Sequence, residues 1–183
     1  MQFIDETINL VFPTMEYEAE AKEFIAEFYQ YDSEINGTGG IVPFLEKDDY
    51  AGWIKKVLSD IDIANIDENR VPALTYFYIR ETDRKIVGMV NIRLDENELI
   101  RKEAGHIGYC IRPTERRKHY ASQMLNDALK VCRRLRIQNV LVSCDKDNIA
   151  SAKTIKSCGG VLEDEFYSET FKEVLQRYVI AGK

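Results

Sequence analysis

Between His106 and Leu135 the sequence passes from an apolar run, through a knot of positive charge, into a helical repeat. Few folds accommodate that succession. His106 to Ile111 has the composition of a strand, Arg112-Pro113-Thr114-Glu115-Arg116-Arg117-Lys118 follows as a loop, and a helix runs from about His119 to Leu135. Its apolar face, Ala121, Met124, Leu125, Ala128, Cys132 and Leu135, has the spacing of a core-facing helix. A strand–loop–helix junction of this kind turns unpaired N–H groups and the positive end of a helix dipole outward, which makes an anion site. Residues 112–136 hold eight Lys/Arg against Glu115 and Asp127, a local charge of +6 on a chain of net charge −6, so the remainder carries −12. A polyphosphate ligand accounts for that contrast, and a solvated basic helix face is the alternative.

The flanking sequence supplies the rest of an α/β domain. Ile8 to Phe12 reads as a strand stopped by Pro13. Thr14 is placed to cap a helix with the face Tyr17, Ala21, Phe24, Ile25 and Phe28. Asn36 to Gly40 is a glycine-rich loop, and a second helix from about Asp48 presents Tyr50, Ile54, Val57, Leu58 and Ile61. Ala73 to Arg80 and Ile86 to Arg93 form a hairpin across Glu81 to Lys85. After the junction come a strand at Asn139 to Cys144, a helix at Asn148 to Ser157 ended by Gly159-Gly160, and strands at Val161 to Tyr167 and Val174 to Ile180. The expected order is β-α-α-β-β-β-α-β-α-β-β. It describes one α/β domain over residues 1–183, with a mixed, mostly antiparallel central sheet flanked by helices and a parallel relation where a helix joins strands four and five.

Composition removes several classes of function. No N-terminal leader pattern and no run of about 18 apolar residues is present, so a cytoplasmic protein with no membrane partner is expected. Cys110, Cys132, Cys144 and Cys158 show no CxxC spacing and read as reduced core thiols, with no metal expected. Net acidity argues against a nucleic-acid partner, which needs a broad basic face.

Element order and junction together resemble the GNAT superfamily of acetyl-coenzyme A-dependent N-acetyltransferases. Its signature, Gln/Arg-x-x-Gly-x-Gly/Ala, is matched by Arg116-Arg117-Lys118-His119-Tyr120-Ala121, and its second patch, Asn-x-x-Ala/Ser before a helix-ending glycine, by Asn148-Ile149-Ala150-Ser151 and Gly159. The resemblance implies a GNAT-like fold with splayed strands four and five and acetyl-coenzyme A as co-substrate. It implies that loop amides from Arg117 to Ser122, beside Arg116, hold the pyrophosphate. Main-chain groups of Tyr109, Cys110 and Ile111 then meet the pantetheine arm, with Asn148 and Ser151 alongside. Asn148 reads equally as a helix N-cap, and one residue can do both. Members are often dimers, so a homodimer is compatible with the resemblance.

Three positions depart from the pattern: His119 replaces the central glycine, Ile155 stands where many members carry an acid-supplying tyrosine, and Gly160 replaces a frequent aromatic residue. Tyr120 and Tyr167 are candidates to fill the vacant role. The acceptor is expected to be a primary amine of a small molecule or peptide, attacking the acetyl group directly. Holding a lysine-like amine neutral at pH 7 costs about 4.6 kcal/mol, so a base is needed. His106, where the family often uses a glutamate or water, is the candidate base, against a packing role in the strand. Residues 1–51 carry twelve acids against Lys22 and Lys47, a rim that would draw a cationic amine. A non-catalytic acyl-coenzyme A-binding module on the same fold is the competing function.

Overall fold

A computed structural model describes residues 7–182. Strand β1 (Ile8–Val11) pairs with β2 (Ala73–Arg80), β2 with β3 (Lys85–Arg93), and β3 with β4 (Ile107–Ile111), all antiparallel. Between β1 and β2 lie helices α1 (Glu18–Gln30), the single-turn α2 (Val42–Leu45) and α3 (Tyr50–Ser59). The chain then passes through α4 (Tyr120–Arg134), β5 (Asn139–Asp145), α5 (Ile149–Ser157), β6 (Val161–Ser168) and β7 (Glu173–Ala181). The last three strands form a second sheet ordered β5-β7-β6, also antiparallel.

β2 and β3 are buried on both faces because helices cover both. Phe77 and Met89 pack toward Phe24, Phe28 and Trp53, while Tyr78, Val87 and Val90 pack toward Met124, Leu125 and Ala128 of α4. Each fully buried large apolar side chain contributes roughly 1.5–3 kcal/mol, so the α4 face that the periodicity selects is what fixes this helix to the sheet.

Local details differ from expectation where tertiary contacts prevail. Thr14 makes no side-chain cap; a 3-10 turn over Met15–Tyr17 intervenes and α1 starts at Glu18. The Thr14 carbonyl instead accepts the Tyr50 hydroxyl at 2.9 Å. In α3 the buried face is Tyr50, Trp53, Ile54 and Val57, while Leu58 and Ile61 stay exposed. There the chain turns Asp60 inward to Lys56 and Arg70.

No backbone ladder, parallel or otherwise, joins β4 to β5 among the described residues, so the sheet is split there. The two strands meet at one end only. Gly105 bridges Val142, and His106 N–H donates to Leu141 O at 2.7 Å. Gly105 has φ 66°, and a Cβ there would fall 2.7 Å from Leu141 O, so only glycine makes this junction. The His106 ring, 2% exposed, completes it: Nδ1 accepts Leu141 N–H at 3.0 Å, and Nε2 lies 3.4 Å from Glu96 Oε1. The neutral ring with its proton on Nε2 fits these partners, and burial holds its pKa below the usual histidine value.

His106→Ala is expected to destabilise the fold by roughly 2–3 kcal/mol, from an orphaned buried N–H plus the lost ring. Urea unfolding measures this. Because the folded pKa is depressed, the stability His106 gives is present above its unfolded value of 6.5 and drains as pH falls below it, and the variant should lose that part of the pH dependence.

Candidate functional site

The split leaves a cleft of about 370 Å³. One wall is β4 at Ile107, Gly108 and Tyr109; the other is Ser143, Cys144 and Asp145 of β5 with Asn148 and Ser151 at the start of α5. The loop at Glu34 to Gly37 closes it from above β4. Gly37 makes this approach: at φ +67° a Cβ would lie 2.1 Å from Gly108 O. Glu103, Phe171 and Glu173 complete the rim. A second hollow of about 400 Å³ lies between α4, α5 and the ends of β5 and β7, and Arg133 is the one charged side chain in its lining. The β4–β5 cleft holds the titratable groups and is the candidate site.

At the C-terminal end of β4 the basic loop folds back onto α4. Arg117 (φ 63°) and His119 (φ 65°) are both left-handed, which turns successive amides the same way. The N–H groups of Arg117, Lys118, His119, Ala121 and Ser122 donate to no group among the described residues, whereas Gln123 N–H returns to His119 O at 3.1 Å. These donors, in a nest at a helix N-terminus, fit a pyrophosphate.

Much of the local charge is committed to the fold. Arg112 is buried against Glu20 at 2.6 Å and Glu27 at 3.6 Å, both on α1. Arg116 binds Ile111 O at 3.2 Å and Ser33 Oγ at 2.6 Å. Glu115, 4% exposed, gathers Arg80 and Lys118, each at 2.8 Å, and Lys85 at 3.3 Å. Burial pushes its carboxyl up, but these three cations overcome that and hold it at about 2. Arg117, Arg133, Arg134 and Arg136 carry no ion pair among the described residues.

His119 is exposed and caps α4 in the left-handed conformation without a side-chain bond. The glycine it replaces is therefore a conformational requirement. His119→Gly is expected to raise stability by about 1 kcal/mol. Thermal unfolding tests that, and calorimetric titration with coenzyme A should show affinity kept or tightened. A tenfold loss would mean that the imidazole binds.

The cleft brings Tyr109, Asn148 and Ser151 together. The Tyr109 hydroxyl lies 2.9 Å from Ser151 Oγ, and burial pushes its pKa up to about 12. Asn148 Oδ1 caps α5 through Ser151 N–H at 3.0 Å, while its Nδ2 has no partner among the described residues. Cys110 and Ile111 turn their side chains into the two cores, and neither is in the lining of the cleft. His106, Ile155, Tyr120 and Tyr167 are not in its lining. Ile155 is fully buried in the core, Tyr120 meets Arg80 at 3.3 Å, and Tyr167 is exposed on β6. The acids Glu34, Glu103, Asp145 and Glu173 come from four separate segments, and no local motif marks them.

An amide-lined loop feeding a split between two sheets defines an acyltransferase-like architecture. The family model for the GNAT acetyltransferase domain matches residues 9–161, and the chain belongs to that family. Among solved structures it is similar to ribosomal-protein-S5-alanine acetyltransferase from Vibrio fischeri, with 15% identity, TM-score 0.72, and coverage of 100% of this chain and 96% of that one. Microcin C7 self-immunity acetyltransferase MccE, solved with acetyl-CoA and AMP, gives 20% identity, TM-score 0.66, and coverage of 97% and 93%. A chimeric spermidine N-acetyltransferase, SpeG from Vibrio cholerae and hSSAT, gives 16%, 0.61, and 95% of each chain. No curated protein matches the sequence. Among the described residues no helix is long and apolar enough to cross a membrane, and no cluster of metal-ligating side chains occurs.

Proposed function

We propose that this protein is an N-acetyltransferase that moves an acetyl group from acetyl-coenzyme A to a primary amine by direct attack. The observation that carries the reading is the continuity of donors: the unbonded amides of Arg117, Lys118, His119, Ala121 and Ser122, then the open edge of β4, then the Tyr109–Ser151 pair. Arg117 to Ser122 would hold the pyrophosphate, main-chain groups of Tyr109 to Ile111 the pantetheine arm, and Asn148 Nδ2 the same arm. Bound there, the coenzyme supplies an activated acetyl thioester.

The chain's own groups handle the protons. Ser151 Oγ gives a proton to the departing thiolate as it recovers one from the Tyr109 hydroxyl, which regains its own from solvent, filling the role vacant at Ile155. For the base, His106 would first have to release Leu141 N–H from Nδ1, its one acceptor atom in this tautomer. Glu173 lies in the cleft lining, and its pKa is raised by burial and then by Asp145 and Glu34, so it suits removal of the amine proton. Pairing of Arg112, Arg116 and Lys118 inside the fold weighs against a nucleic-acid role, and four free thiols suit a reducing, cytoplasmic setting.

Calorimetry with coenzyme A followed by acetyl transfer across an amine panel tests the reading. Binding and transfer to at least one amine are expected. Binding with no transfer would favour the acyl-coenzyme A-binding module, and no binding at millimolar coenzyme would end both.

A further inference from the structure

We infer that the acceptor is a linear aliphatic diamine or polyamine, with one amine at the Ser151 end of the cleft and a second ammonium among Glu34, Glu103 and Asp145. This rests on the acetyltransferase reading above. Two observations carry it.

First, Glu34, Glu103, Asp145 and Glu173 converge on one cavity from the loop after α1, the turn before β4, the end of β5 and the start of β7. None forms an ion pair among the described residues, in contrast to the buried acids Glu115 and Asp60. The one cation in the lining, Arg93, is spent on Ala104 O at 3.2 Å and Gly105 O at 2.8 Å. The lining thus sets four carboxylates against one guanidinium, a local excess of negative charge, and Glu173 feels both Asp145 and Glu34 as repulsion.

Second, the charged groups of the lining are four carboxylates, which accept, and one guanidinium already bonded to carbonyls. A peptide or amino acid brings carbonyl or carboxylate oxygens that need donors; an ammonium brings three donors and no acceptor. A diamine also resolves a conflict in the chemistry. Carboxylates near a lone amine attract it but stabilise its protonated form. A second ammonium on the same molecule takes up that field and eases deprotonation of the amine that reacts.

The test is calorimetry on the full chain loaded with coenzyme A, titrated with 1,4-diaminobutane, spermidine, butylamine, 4-aminobutyrate and a short basic peptide. The diamine and spermidine should bind at least about tenfold more tightly than butylamine, 4-aminobutyrate should bind no better than butylamine, and added salt should narrow the gap. Glu34→Gln and Glu103→Gln should each weaken the diamine about threefold or more while moving butylamine less than about twofold. Equal binding of diamine and butylamine, or preference for the peptide, would overturn the inference while leaving the acetyltransferase intact. Failure of coenzyme A itself to bind would instead remove the reading beneath it.

Discussion

Replacement of Glu115 by alanine is expected to cost about 3–5 kcal/mol of stability, in the range for breaking a buried ion pair from one side. The carboxylate sits inside the basic loop, on the turn Pro113–Glu115, and joins it to the β2–β3 hairpin through Arg80 and Lys85. Without it, Arg80, Lys85 and Lys118 face one another across a poorly solvated space. Arg80 keeps Asp83 at 2.7 Å, so the lower half of the range is expected. Urea unfolding should show the loss, and coenzyme A affinity should fall with it, because the same loop carries the unbonded amides. A loss below about 1 kcal/mol would mean that the cations relax into water.

The pH dependence has a definite sign. The folded carboxyl titrates at about 2, below its ordinary value of 4.5. The stability it supplies is therefore fully present above pH 4.5 and is lost as pH falls toward 2. That drop corresponds to roughly 3 kcal/mol. Glu115→Gln keeps the shape and should flatten this part of the acid-unfolding curve, whereas wild type should steepen there.

The same residue shows why the fold was more legible than the site. Helix α4 and the β2–β3 hairpin are written in periodicities of a few residues, which one sequence displays in full. Their boundaries differ from the pattern by a residue or two. Charge is different. Summing residues 112–136 gives +6, but Arg112 is answered by Glu20 and Glu27, some ninety residues earlier, and Lys118 by Glu115 beside it. The loop still presents an anion site, carried by amides more than by side chains. At position 119 the sequence shows only that a glycine is missing, and φ 65° shows that the position asks for a left-handed backbone. Of the cleft acids only Glu34 belongs to the acidic stretch of residues 1–51; Glu103, Asp145 and Glu173 come from three other segments that no local pattern joins. Tyr109 was legible for its main chain only, because its hydroxyl partner lies 42 residues on.

That partner is the subject of the second large effect. Ser151→Ala is expected to lower kcat about 100-fold while leaving coenzyme KM within about threefold, the signature of a group needed when the thiolate leaves. Tyr109→Phe removes only the hydroxyl that re-supplies Ser151 and should cost about tenfold. The two act as one unit, so the double variant should be no slower than Ser151→Ala alone by more than about twofold. Burial pushes Tyr109 up to about 12, which keeps the pair protonated through neutral pH, so the wild-type rate should show no falling limb below about pH 9 from this pair. Steady-state kinetics across pH decides the matter. If Ser151→Ala keeps kcat within about twofold, the proton comes from water and the hydroxyl pair serves only to hold α5 against β4.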